Sequence, residues 1–121
     1  MSVARQKEFL DRLKKFAIDC DNYQEQLPRN PTNRVYSFQL LKSSSSIPAN
    51  YAESMCSLTT NDWIHDINKC RKESNESEVW LDLLSRRNTV NKKEGLRLHQ
   101  EAKEFVLIFS RSLKTARRNK M

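Results

Sequence analysis

The sequence predicts an all-α protein, with one domain over residues 1–121 that folds as an antiparallel up-down-up-down four-helix bundle. Two observations predict this class. Apolar residues recur at steps of three and four in four separate segments, and this spacing puts side chains on one face of a helix. The chain also has one glycine and three prolines, and no Asn-Gly or Asp-Gly turn joins two alternating apolar runs, which disfavours a sheet.

The first helix is predicted to begin at Ser2, a favoured N-cap residue, and to end before Pro28 and Pro31. Its apolar residues follow a 4-3-4-3-4 spacing. They are Phe9, Leu13, Phe16, Cys20, Tyr23 and Leu27. We expect this single stripe to face the core of the bundle.

The second helix is predicted from about Thr32 to Ser57, and it carries two apolar faces. One face holds Tyr36, Leu40 and Ile47, and the other holds Val35, Phe38, Ala49, Ala52 and Cys56. Because one face is enough for the bundle, the second indicates contact with another subunit. Pro48 lacks a backbone donor, so we expect a kink or a helix restart there, with Ser45 or Ser46 as a local cap.

The third and fourth helices each begin at a predicted capping box, Thr59 with Asp62 and Asn91 with Glu94. The stripe of the third helix is Trp63, Ile67, Cys70, Ser74, Ser77, Leu81 and Leu84, in which the two serines allow a close approach by a neighbouring helix. The inner face of the fourth is Leu98, Ala102, Phe105, Phe109, Leu113 and Ala116. Short connections favour antiparallel neighbours throughout.

Positive charge is concentrated at the C-terminal end of the chain. The formal net charge is +7, and from residue 105 onward there are five basic residues and no acidic one. The basic residues are Arg111, Lys114, Arg117, Arg118 and Lys120. Such a patch suits a polyanion, although basic residues near a helix C-terminus also complement its dipole and aid solubility.

Catalytic and metal-binding patterns are poor, so the sequence predicts a protein that is not an enzyme and needs no cofactor or metal. His65 and His99 lie in no metal-binding motif, and Gly95, the one glycine, excludes a glycine-rich phosphate loop. No apolar run approaches the roughly 18–20 residues of a membrane span. Three cysteines without paired spacing fit a reducing compartment, so a cytoplasmic location is expected.

A polar line runs along the second helix at steps of three and four and has an acidic counterpart on the third. Its members are Gln39, Lys42, Ser46, Asn50 and Glu53, with Glu73 and Glu76 on the third helix. If buried, these groups must satisfy one another, Lys42 with a carboxylate and Asn50 with a backbone group or Glu. We favour a network that fixes the helix register or a subunit interface. The alternative is a ligand site, in which the polar line would face the central channel of an oligomer.

Three stretches of the chain carry a family resemblance. QLLKSSSSIPANYAES resembles the motif QLLRSGTSIGANxxEA of the bacterial four-helix-bundle proteins known from intervening sequences of 23S rRNA genes. DWIHDINKCRKESNESEVWLDLL is similar to DFIHKLxIALKEAxETxYWLxLL, and EAKEFVLIFSRSLKTAR is similar to EAEELxKILxSIIKTAK. The resemblance adds Ser43 to the polar line. Lys42 stands where the family has Arg, and Pro48 where it has Gly.

The resemblance implies a bundle that assembles into a ring, with a pentamer as the expected size. Relatives include the accessory protein of diversity-generating retroelements, which implies a reverse transcriptase as an alternative partner. Our first hypothesis is a non-enzymatic ring that binds nucleic acid, RNA rather than DNA, through phosphate contacts. The proposed contacts are the five basic residues above with Lys14 and Lys15. The alternative is a protein-interaction scaffold, such as an accessory subunit of a reverse transcriptase.

Overall fold

A computed structural model describes residues 2–120, which form four helices joined by short connections. The helices are α1 (Val3–Glu25), α2 (Pro31–Ser54), α3 (Thr60–Arg87) and α4 (Lys92–Lys120). The contacts between α1 and α4 show that these two helices are antiparallel, because Arg12 meets Glu101 and Asp19 meets Arg97. Each helix packs against the ones before and after it, and α4 closes the bundle against α1. This architecture confirms the predicted four-helix bundle.

Side chains cap three of the helices as the local sequence requires. Ser2 Oγ accepts from the Arg5 amide at 3.2 Å, and Thr59 Oγ1 accepts from the Asp62 amide at 3.1 Å, which confirms both predicted caps. Asn30, which the sequence analysis did not single out, caps α2. These groups satisfy backbone donors that have no partner inside the helix.

The start of α4 differs from the predicted capping box. Asn91 has a positive φ of 53°, in the left-handed region that Asn tolerates better than most residues. Its side-chain amide donates to Gln26 Oε1 at 2.9 Å, while its backbone carbonyl accepts from the amides of Glu94 and Gly95. The side chain therefore ties this turn to the end of α1, and the backbone supplies the first helical hydrogen bonds.

Helix α2 runs through Pro48 without interruption, so the predicted restart at this point is wrong. The hydroxyls of Ser45 and Ser46 do not start a new helix, because both donate back to the Lys42 carbonyl, at 3.3 and 2.7 Å. Burial explains why the helix persists: Ile47, directly before the proline, is fully buried in the core. Its packing offsets the hydrogen bond that Pro48 cannot make.

The core combines the predicted stripes of all four helices. Its fully buried side chains include Leu13, Cys20, Leu40, Ile47, Ile67, Cys70, Leu81, Leu84, Leu98, Ala102 and Phe105. Ser74 and Ser77 are also fully buried, and the hydroxyl oxygens of Ser77 and Ser43 lie 2.8 Å apart. This contact confirms that the serines of α3 let α2 approach closely.

Gly95 serves packing rather than turn formation. A Cβ at this position would lie 2.6 Å from both Ser85 Oγ and Tyr23 Oη, and 2.9 Å from Tyr23 Cζ. Because the Tyr23 ring is itself buried and cannot move aside, only glycine lets α4 pass this close to the end of α1.

Candidate nucleic-acid interface

The five predicted basic residues lie on the last turns of α4, at the end of the bundle where α1 and α3 begin. All five are exposed: Arg111, Lys114, Arg117, Arg118 and Lys120. Arg111, Lys114 and Arg118 follow at steps of three and four, so they share one face of the helix. Lys120 Nζ donates to Asn61 Oδ1, which joins the end of α4 to the first turn of α3. We call this surface the basic end.

Lys14 and Lys15 lie apart from the basic end. Lys15 Nζ is 2.7 Å from Asp19 Oδ2, and both residues line a hollow together with Arg97 and Glu101 of α4. Since a helix rises about 1.5 Å per residue, Glu101, the residue of this hollow nearest to Arg111 along α4, lies about 15 Å from it. The structure therefore does not bring the two predicted lysines together with the other five residues.

Two other basic residues do reach the same end of the bundle. Arg5 and Lys7 are exposed on the first turns of α1 and flank Gln6, which lines a cleft with Arg111. The antiparallel order of α1 and α4, which the sequence did predict, is the signal that identifies them, because it sets the start of one helix beside the end of the other.

An aromatic cleft of about 570 Å³ opens beside the basic end. Its floor consists of Phe9, Tyr51 and Phe109, whose ring centroids lie 5.2 to 6.3 Å from one another. Trp63 of α3 lines it and is only partly buried. Its polar lining consists of Gln6, Arg111, Ser112, Thr115 and Asn119. Trp63 lies on the predicted stripe of the third helix, and a linear stripe cannot show that its ring reaches the surface at this point.

The polar line lies at the surface between α2 and α3, and only part of it is buried. Ser43 is buried and contacts Ser77, whereas Lys42, Glu53 and Glu76 are exposed. Asn50 Nδ2 donates to the Ser46 carbonyl at 2.9 Å, one turn back on the same helix. Gln39 and Ser46 are partly buried.

Glu73 is the electrostatically strained member of this line. Partial burial, followed by the nearby charge of Glu76, raises the pKa of Glu73, and the charge of Lys42 offsets part of that rise. The positive charge of Lys42 thus favours the ionised form of Glu73. Lys42 and Glu76 remain exposed at the surface of the single chain.

Ion pairs that the sequence analysis missed connect α1 to α4. Arg12 makes two hydrogen bonds to Glu101, at 2.6 and 3.1 Å, and its Nη2 lies 3.0 Å from Glu104. Burial works to raise the pKa of Asp19, but hydrogen bonds from Lys15 and Arg97 outweigh it, so the pKa falls below its usual value. These charges are engaged within the bundle, which separates them in role from the exposed residues of the basic end.

Two of the three cysteines, Cys20 and Cys70, are buried and positioned for packing. Burial raises the pKa of the Cys70 thiol to about 12, and burial also raises the pKa of the Cys20 thiol. Both thiols are thereby held in the unreactive protonated form. Within residues 2–120, no three side chains of His, Cys, Asp or Glu are grouped to hold a metal ion. No helix in this part of the chain is long and apolar enough to cross a membrane.

Comparison with known proteins identifies the family of the chain. Residues 5–111 match the family model described as 23S rRNA-intervening sequence protein. A similar solved structure is that of a protein of unknown function from the S23 ribosomal protein family of Bacteroides thetaiotaomicron, with 28% identity and a TM-score of 0.77. The alignment covers 87% of this chain and 97% of that one. Comparison with curated proteins gives no match.

Since the family model spans most of its length, the chain belongs to the 23S rRNA-intervening sequence protein family. The predicted resemblance, and with it the four-helix fold, is confirmed.

Proposed function

We propose that this member of the 23S rRNA-intervening sequence protein family is a non-enzymatic protein that binds RNA through phosphate contacts at the basic end. The observation that carries the proposal is the charge of α4: from residue 105 to residue 120, five basic side chains are exposed and no acidic residue is present. The family description refers to 23S rRNA, which supports RNA over DNA as the polyanion.

The chemistry of the basic end suits phosphates rather than base sequences. Exposed Lys and Arg side chains on one helix face can follow a nucleic-acid backbone and release its condensed counterions. Such contacts position a protein on the RNA without reading sequence. Of the predicted contacts, we retain Arg111, Lys114, Arg117, Arg118 and Lys120, and we propose Arg5 and Lys7 in place of Lys14 and Lys15.

Neutralising the basic end is expected to weaken RNA binding. The triple variant Arg111→Gln, Lys114→Gln and Arg118→Gln should lose about tenfold or more in affinity for a structured RNA at about 0.1 M salt, because three phosphate contacts are removed. The slope of log affinity against log salt should fall in magnitude by about 3, since each phosphate contact contributes roughly 1. Fluorescence anisotropy over a salt series measures both quantities.

A matched control separates local contacts from overall charge. Replacing Lys92, Lys93 and Lys103 by Gln removes the same charge from exposed positions elsewhere on α4 and should change the slope by less than about 1. Equal losses in the two triple variants would contradict a site at the basic end. Salt-insensitive binding, or none at low salt, would contradict RNA binding through phosphates.

We also propose that the chain assembles into a ring, with a pentamer as the expected size. The second apolar face of α2, predicted as a subunit contact, is on the surface of the single chain: Val35 is 57% exposed and Phe38 is 63% exposed. Large apolar side chains grouped on one face are more typical of an interface than of a free surface. Ile18 of α1, 61% exposed, and Leu41 extend this face.

Phe38→Glu is expected to dissociate the oligomer. A charge at the centre of the apolar face would be buried without a partner in the assembly, so light scattering should give the mass of one chain where the unmodified protein gives a multiple of it. Leu96→Glu is the control, because Leu96 is similarly exposed but lies on α4, and it should keep the assembled mass. A monomeric unmodified protein would contradict the ring.

A further inference from the structure

We propose that the aromatic cleft binds one unpaired nucleotide of the bound RNA, with the base against Trp63 and the phosphate toward Arg111. This inference rests on the proposed RNA binding and adds a class of ligand to it, namely single-stranded RNA. It gives the protein a preference that phosphate contacts alone cannot supply, because every RNA strand carries phosphates but only an unpaired base can leave the stack.

The shape and lining of the cleft fit a nucleotide. Its volume of about 570 Å³ lies within the range of roughly 300–1,000 Å³ that is usual for small-molecule sites. Trp63 supplies an aromatic surface that is partly open, and the floor of Phe9, Tyr51 and Phe109 is rigid because these rings pack against one another. Bases stack on such surfaces without regard to their identity.

Charge defines the direction in which a nucleotide would enter. The α4 side of the cleft carries Arg111, and the next turn of the helix adds Lys114. The α3 side is lined by the apolar side chains of Trp63 and Ile67. A phosphate is therefore attracted to the α4 side, which leaves the base to face Trp63.

The polar lining favours a base over an apolar side chain of a protein partner. Gln6, Ser112, Thr115 and Asn119 place amide and hydroxyl groups around the aromatic surface. A base has donors and acceptors at its edge that can pair with these groups. An apolar side chain would cover them without pairing and leave them unsatisfied, which is costly.

Fluorescence of Trp63 tests the site directly. Trp80→Phe leaves Trp63 as the one tryptophan, and position 80 lies about 25 Å away along α3. In this variant, AMP and an oligo(A) strand should quench the emission of Trp63, since a base stacks on its ring. Ribose 5-phosphate, which has the phosphate without the base, should leave the emission unchanged.

Affinity measurements separate the cleft from the basic end. Trp63→Leu should weaken binding of a single-stranded 12-mer about tenfold and leave binding of a duplex RNA of the same length within about twofold. Ala116→Leu, which adds volume within the cleft, should produce the same selective loss. Trp63→Phe keeps an aromatic ring and should retain most of the single-strand affinity, which attributes the loss in Trp63→Leu to the missing ring, whereas misfolding would weaken binding of both RNAs.

The outcomes distinguish this inference from the proposed function. If both RNAs bind but Trp63 emission does not respond to AMP or oligo(A), and Ala116→Leu binds both RNAs normally, the nucleotide site is wrong and phosphate binding stands. If neither RNA binds the unmodified chain at low salt, the proposed function is wrong. Selective loss of single-strand affinity together with quenching by AMP supports both.

Discussion

Phe105→Ala is expected to lower the free energy of unfolding by about 4 kcal/mol, since truncation of a buried aromatic ring typically costs 3–5 kcal/mol. Phe105 is fully buried, and its ring packs edge-to-face against Phe16 at 5.2 Å and Phe9 at 6.0 Å. The Arg12 guanidinium lies 5.0 Å above the same ring. The substitution therefore removes apolar burial, aromatic contacts and a cation–π contact at once.

Chemical denaturation at a fixed protein concentration measures this loss, because the stability of an oligomer depends on concentration. Leu107→Ala is the matched control on the same helix: Leu107 is 54% exposed, so its truncation should cost less than about 0.5 kcal/mol. Phe105→Leu, which keeps most of the apolar volume, should fall between the two. Similar midpoints for Phe105→Ala and Leu107→Ala would show that Phe105 is not at the centre of the core.

Apolar spacing predicted the helices and most of their buried faces because both depend on the local helical period. Leu13, Ile67 and Phe105 lie on the predicted stripes and are buried as expected. The restart at Pro48 was wrong for a non-local reason. Local propensity disfavours a proline inside a helix, but packing of Ile47 and the contact of Ser43 with Ser77 keep this part of α2 helical.

The candidate site could be predicted only in part. The basic end follows from a run of residues on one helix, so the sequence shows it directly. The aromatic cleft requires four helix ends to meet, and the salt bridge between Arg12 and Glu101 joins residues 89 positions apart. No periodic pattern encodes such a distance. Lys15 was likewise predicted to contact nucleic acid, because the sequence pattern does not show that it pairs with Asp19.

The polar line shows that the spacing of polar residues along a helix does not decide what those residues do. Its spacing predicted one surface of α2 matched to α3, and the structure places Ser43, which the resemblance added, against Ser77 of α3. Yet Lys42 and Glu76 are exposed, and the raised pKa of Glu73 reflects partial burial beside a like charge. Whether a neighbouring subunit covers these groups depends on the proposed assembly, so the line remains a predicted interface.

Asn33→Leu is expected to destabilise the bundle by about 3 kcal/mol through a buried contact that no motif indicated. Asn33 and Asn88 exchange two side-chain hydrogen bonds, at 2.8 and 3.0 Å, and both residues are buried. Asn33 also donates to the Pro28 carbonyl, and Asn88 to the Leu84 carbonyl. The pair thereby connects the α1–α2 turn to the end of α3, and its loss strands several buried polar groups, at about 1–3 kcal/mol each.

A double-mutant cycle tests whether this cost arises from unpaired groups. Asn33→Leu with Asn88→Leu should cost less than the sum of the two single variants, because removing both amides leaves fewer groups unsatisfied than removing one. Asn75→Leu is the control at an exposed site of α3 and should lie within about 0.5 kcal/mol of the unmodified protein. Strictly additive costs would contradict a shared network, because they would mean that the two amides act independently.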